Sequence, residues 1–189
     1  MTRSFEQNLV EHCAPTMAGL KSANLFHVRT QDAPALYQSV AYWQDVLQRR
    51  GLTLTILKEC SESNSFLVYL YRKTKLEAEL ALPATQDFLH SEGYAPGEGC
   101  EGYLAQLSHR LCVQQVFPHE IGLFLGYPLE DVLGFIEHKG KNFTHCGHWK
   151  TYGDASAARA QFARFHHCTR TYLRCFSSGF SIKRLAVAA

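Results

Sequence analysis

Apolar residues between 33 and 50 recur every three or four positions, at Leu36, Val40, Trp43 and Leu47. That spacing predicts an amphipathic helix over Ala33–Arg50, stopped by Gly51. A shorter helix over 4–13 sets Phe5, Leu9 and His12/Cys13 on one stripe and is expected to end at Pro15. Asn24–Arg29 reads as a short strand after a break at Gly19. Leu52–Lys58 and Phe66–Arg72, rich in Leu, Thr, Val and Tyr, read as two more strands. The turn-like Glu59–Ser65 linker makes them a hairpin. Strand, helix and strand over 24–58 suit a right-handed parallel crossover. The hairpin then adds an antiparallel neighbour, and the sheet is expected to be mixed.

Residues 74–140 read as almost wholly helical, with Leu104, Leu107 and Leu111 on one face and Pro83, Pro96, Pro118 and Pro128 as punctuation. Gly147–Tyr152 suits a last strand. Asp154 then caps a long helix to about Cys175, with Ala158, Phe162, Phe165, Tyr172 and Phe176 facing inward. The expected class is α+β, a small mixed β-sheet of three to four strands covered by several helices. At 189 residues, and roughly 150 residues per domain, residues 1–189 are expected to form a single domain.

Composition places the chain among folded proteins: 46% hydrophobic, 12% aromatic and 19% charged residues exclude disordered and collagen-like classes. Apolar runs such as Phe66–Leu70 are too short to span a bilayer, so no membrane partner is expected. The first residues hold no apolar stretch of signal-peptide length, and the chain is read as cytoplasmic. Seven cysteines are then expected to be thiols. None forms a Cys-x-x-Cys pair, which leaves no zinc ribbon or thioredoxin-type motif.

The net charge of +2 hides a split along the chain. All 17 acids lie at or before Asp154, whereas six Lys/Arg and no acid follow it. Residues 76–109 hold six acids and no Lys or Arg. The basic final helix, with Arg159, Arg164, Arg170 and Arg174, suits phosphate contacts. Its aromatic residues recur at core spacing, however, and the acidic segment offers an internal or homodimeric counterpart. Charge therefore reads mainly as architecture, and a nucleic-acid binder is the weakest reading.

Several motifs invite chemistry. Gly97-Glu-Gly-Cys-Glu-Gly102 matches G-x-G-x-x-G, but Tyr94-Ala-Pro96 precedes it where a strand is needed, and Glu98 and Glu101 would repel phosphates. It reads better as a loop entering a helix. Pro118–Ile136 outlines two short helices about Gly126-Tyr127-Pro128, yet the second carries Glu130, Asp131 and Glu137, against DNA reading. His-Cys dipeptides occur three times, at 12–13, 145–146 and 167–168, where random placement gives roughly 0.4. With His148 and His166 they raise a metal or haem site, although no spacing fits a standard one and no metal ligands are assigned. A thiol hydrolase or transferase would use Cys13 as nucleophile, His119 as base, and Glu120 or His12 as orienter. The helix C-terminus around Cys13 opposes this, because its dipole raises a thiol pKa.

Three stretches together resemble a bacterial family known only as a domain of unknown function, common among anaerobic Gram-positive bacteria. They are His12-Cys-Ala-Pro-Thr-Met-Ala-Gly-Leu-Lys21, His119-Glu-Ile-Gly-Leu-Phe-Leu-Gly-Tyr-Pro128 with Leu-Glu-Asp-Val after it, and Gly147-His-Trp-Lys-Thr-Tyr-Gly-Asp154. The resemblance covers nearly the whole chain and implies no activity, substrate or cofactor. It concentrates interest on His12, Cys13, Thr16, Lys21, His119, Glu120, Tyr127, Trp149 and Lys150. The leading expectation is binding of a small molecule or protein partner in a polar Cys/His-containing pocket. Thr16, Lys21, Tyr127, Trp149 and Lys150 would be its ligand-binding residues. The enzyme, metal or haem, and nucleic-acid readings are the alternatives.

Overall fold

The Ser4 hydroxyl accepts the Gln7 amide at 3.1 Å and caps the first helix, α1 (Phe5–Met17), in a computed structural model that describes residues 4–97, 99–114 and 116–188. Pro15 does not end α1; the helix continues to Met17. Proline removes one helical donor and crowds the preceding turn, but the carbonyls of the last turn find other donors. Pro15 O accepts the Leu20 and Lys21 amides, and the Arg72 guanidinium donates to Thr16 O and Met17 O.

The elements that follow are β1 (Ala23–Arg29), α2 (Ala33–Gln48), β2 (Thr53–Cys60), a 3-10 turn at Ser61–Ser63, and β3 (Ser65–Tyr71). Next come α3 (Lys73–Leu80), α4 (Pro83–Ser91), α5 (Gly99–Val113), α6 (Ile121–Phe124) and α7 (Leu129–Glu137). A two-residue hairpin, β4 (His145–Cys146) and β5 (Lys150–Thr151), leads to α8 (Ala155–Ser177) and α9 (Ile182–Leu185). The class is α+β, with a three-stranded sheet and a two-stranded one. Among the described residues no helix is long and apolar enough to cross a membrane.

Two compact units divide the chain: Met1–Leu76 with Cys168–Ala189, and Glu77–His167. In the first, the sheet order is β1-β3-β2, and both ladders are antiparallel. The expected mixed sheet is corrected here. β3 is inserted between β1 and β2, so these run in the same direction without pairing. Burial gives the reason, because Val68, Tyr69, Leu70 and Tyr71 are all buried, as a central strand requires. Phe66, Val68 and Leu70 join Phe26 and Leu54 in a core sealed by Leu9, Cys13, Leu36 and Leu47 from α1 and α2. On the other face Tyr69 and Tyr71 stack at 5.1 Å. An irregularity between Ile56 and Lys58 shifts the β2 register by one residue.

The second unit holds α4–α7, the β4–β5 hairpin and the start of α8. Gly147-Tyr152, expected as one strand, supplies only Lys150–Thr151, paired with His145–Cys146. Asp154 caps α8, its Oδ1 accepting the Ser156 and Ala157 amides at 2.7 and 3.1 Å. Ala158, Phe162 and Phe165 are buried along that helix as its periodicity required. A Cβ at Gly147 would run into the Phe162 ring, and one at Gly134 into Tyr152, so these glycines set how closely the hairpin, α7 and α8 approach. The G-x-G-x-x-G stretch enters α5 at Gly99, with Gly97 and Gly99 at φ +89° and +63°. Glu98, part of that motif, lies outside the described residues.

Candidate functional site

The first motif lies wholly in the first unit, and its polar groups are tied to backbone. Thr16 Oγ1 donates to Asn24 Oδ1 at 2.7 Å, and the buried Lys21 ammonium donates to Ala23 O at 2.8 Å. Arg72, 5% exposed, donates to Thr16 O, Met17 O and Val187 O at 2.7–2.8 Å. It thereby fastens the end of α1 to the C-terminal tail. Cys13 is fully buried in the core, and burial pushes its thiol far above the ordinary range, with Lys21 a smaller opposing influence. His12, one residue earlier, is exposed and stacks at 5.7 Å on Phe26. Adjacent residues on a helix point apart, so His12 and Cys13 face different surroundings.

The second and third motifs lie in the second unit, and there they meet. Asp131, 3% exposed, accepts the Trp149 indole N–H on Oδ2 at 2.7 Å and the Tyr152 and Gly153 amides on Oδ1 at 2.7 and 3.3 Å. Trp149 is thereby fixed, and Tyr127 stacks on it with centroids 4.5 Å apart and planes 22° from parallel. Phe162 meets the same indole edge-on at 4.5 Å. Gly126, at φ +70°, makes the turn that presents Tyr127. Burial pushes the Tyr127 phenol up to about 12.

His119 and Glu120 take opposite roles at the start of this motif. The His119 ring is exposed and packs at 4.9 Å on Phe135, next to which Lys150 Nζ lies 5.8 Å away while donating to Gly140 O at 2.7 Å. Glu120 is buried, and its Oε1 accepts Tyr94 Oη at 3.1 Å and faces Arg110 Nη1 at 3.5 Å. Arg110 also lies 4.2 Å over the Tyr94 ring. Glu120 is thus engaged by α5 and the Tyr94 loop. Cys13 belongs to the first unit and His119 to the second.

A cavity of about 220 Å³ opens in the second unit between the end of α3, the start of α4 and the Gly126-Tyr127-Pro128 turn. Its lining includes Glu79, Leu82, Thr85, Leu123, Tyr127 and Leu129. Tyr127 is the one residue of the nine selected from sequence that faces it. The lining contains neither Cys nor His. The first unit carries a more open groove of about 300 Å³ by Phe5, His27, Arg29 and Ser39, which includes no residue of the motifs.

Sequence reasoning passed over Asp131, Glu79, Thr85, Tyr94, Arg110 and Arg72. Asp131 stands inside the second motif and was read only as an acid unsuited to DNA. Of the adjacent acids Glu130 and Asp131, Asp131 falls with Val132 on the buried side of α7, and a buried carboxylate needs hydrogen-bond donors. Glu79 sits in the acidic segment with no local mark of its own.

All seven cysteines are free: Cys13, Cys100 and Cys168 are buried, Cys112 and Cys146 exposed. His148 lies 4.7 Å from His166, but among the described residues no three His, Cys, Asp or Glu side chains gather to hold a metal. Arg159, Arg164, Arg170 and Arg174 are exposed along α8.

No curated protein and no solved structure matches the chain. Residues 9–186, which include all three motifs and reach into both units, match the family described as protein of unknown function DUF3793. With most of its length matched, the chain belongs to the DUF3793 family.

Proposed function

We propose that this protein binds a small molecule in the cavity beside Tyr127. The observation that carries the reading is the way Tyr127 is held. Its ring is stacked on Trp149, Trp149 is bonded to the buried Asp131, and the same ring borders a cavity of about 220 Å³. A rigid aromatic wall, apolar leucines and a few polar side chains are the ordinary ingredients of a small-ligand site. The volume sets the ligand size. Sites for drug-sized molecules begin at about 300 Å³, so a dinucleotide is too large and an amino-acid-sized molecule fits. Thiol catalysis finds no comparable support, since Cys13 is sealed in the core with its thiol held protonated.

The stacking geometry supplies the assay. Trp43 and Trp149 are the two tryptophans of the chain, so with excitation selective for indole a Trp43→Phe variant reports on Trp149 alone. Screening small metabolites against it is expected to find compounds that shift Trp149 emission and raise the melting temperature together. Leu82, 56% exposed among the lining residues, allows the site to be blocked from outside, and Leu82→Trp is expected to abolish both responses. Binding that survives Leu82→Trp, or a screen that moves neither signal, overturns the reading.

A further inference from the structure

Glu79, half-buried, differs from the two buried acids of the second unit, Glu120 and Asp131. Glu120 has Tyr94 and Arg110, and Asp131 has an indole N–H and two backbone amides. Glu79 Oε2 is buried with no hydrogen-bond partner, and Glu79 is the sole charged residue lining the Tyr127 cavity. A carboxylate oxygen taken out of water without a donor is costly. Folded proteins leave few such groups, and each asks for a physical explanation. Thr151 Oγ1 and Tyr152 Oη of the same unit are also buried without a partner, but neither residue lines the cavity; among the described residues Glu79 alone both lines it and carries such an oxygen.

We infer that the ligand of this cavity is a small primary amine with a short apolar body, its ammonium group received by Glu79. The inference rests on the cavity reading above and adds the ligand's chemical class. A lone negative charge in a largely apolar lining attracts a compact cation and repels an anion. Leu82, Leu123 and Leu129 provide for a hydrocarbon portion, while Thr85 and Tyr127 add hydroxyl-bearing side chains. A charge-assisted hydrogen bond in such surroundings is stronger than a neutral one of the same geometry.

Three probes with one body separate the head group from the cavity: benzylamine (charged at pH 7), benzyl alcohol and benzoate. Their affinities are measured by NMR titration of the full chain, parent and Glu79→Gln. In the parent, benzylamine is expected to bind at least tenfold more tightly than benzyl alcohol, with benzoate weakest. Glu79→Gln is expected to weaken benzylamine tenfold or more and leave benzyl alcohol within twofold. Benzylamine binding no tighter than benzyl alcohol, or a preference that survives Glu79→Gln, overturns the amine inference while the cavity reading stands. No binding by any of the three overturns both. If Glu79→Gln fails to fold, the ranking of the three probes on the parent decides alone.

Discussion

Asp131 Oδ2 accepts the Trp149 indole N–H at 2.7 Å inside a site where the carboxylate is 3% exposed. This bond joins the second family motif to the third, and Oδ1 of the same residue takes the Tyr152 and Gly153 amides. One carboxylate therefore fixes the aromatic wall of the cavity and the turn before α8. Asp131→Ala leaves one buried and two part-buried donors without their acceptor and is expected to cost about 3 kcal/mol. Trp149→Phe removes one donor and is expected to cost less, about 1–2 kcal/mol. Urea unfolding of both variants and of the double variant measures the coupling. Additive losses would show that the bond does not hold the motifs together.

The seven thiols are expected to divide by environment. Burial holds Cys13 well above the usual thiol range and pushes Cys168 up to about 11. Cys60 goes the other way, lowered chiefly by hydrogen bonds from the Ser63 side chain and backbone. Native iodoacetamide labelling near pH 7.5 should therefore modify Cys60 first and leave Cys13 and Cys168 untouched. Ser63→Ala should slow Cys60 several-fold. Rapid modification of Cys13, read by peptide mass mapping, would restore the case for thiol chemistry.

Arg72 is the clasp of the first unit, with its guanidinium serving three carbonyls. Arg72→Lys keeps the charge but not the fork, and is expected to lose about 2 kcal/mol of stability. The loss should be greatest locally. The Val187 amide, which donates to Met17 O at 3.0 Å, should exchange with solvent much faster in the variant than in the parent. Unchanged exchange at Val187 would remove this role from Arg72.

Alkaline conditions should weaken the second unit through Tyr127. Its phenol is raised by burial from the ordinary value near 10 to about 12, so the unfolded chain gives up the proton first. The associated stability is complete below pH 10 and is lost as pH rises through 12, amounting to about 3 kcal/mol. Melting temperatures across this range should fall less steeply for Tyr127→Phe than for the parent. Parallel curves would place the alkaline sensitivity in other groups.

The two units were not equally legible. α2 could be read directly because Leu36, Val40 and Leu47 repeat at the helical period and are buried where that period puts them. The hairpin of β2 and β3 was equally plain, since a turn-rich linker separates two β-prone runs. Strand order was not, although a cue was present. Phe66–Tyr71 contains no polar residue, whereas β1 and β2 interleave theirs, and an unbroken apolar strand marks the centre of a sheet. Pro15 misled because a proline near a helix end is only a local veto, and carbonyl partners from Arg72 and the following loop outweighed it.

The three motifs could be found from sequence, but their meaning could not. Local spacing determined the helices, the strands, the Asp154 cap and the α+β class, because each depends on residues within a turn or two of one another. The tertiary structure alone decided that Cys13 is a sealed core thiol, that Trp149 answers to Asp131 eighteen residues away, and that Tyr127 borders a cavity. It also decided that, among the described residues, Glu79 alone both lines that cavity and keeps a buried oxygen unpaired. A polar side chain becomes clasp, filler or binding group according to which distant segments bring it hydrogen-bond partners, and nothing in its own stretch of chain records that.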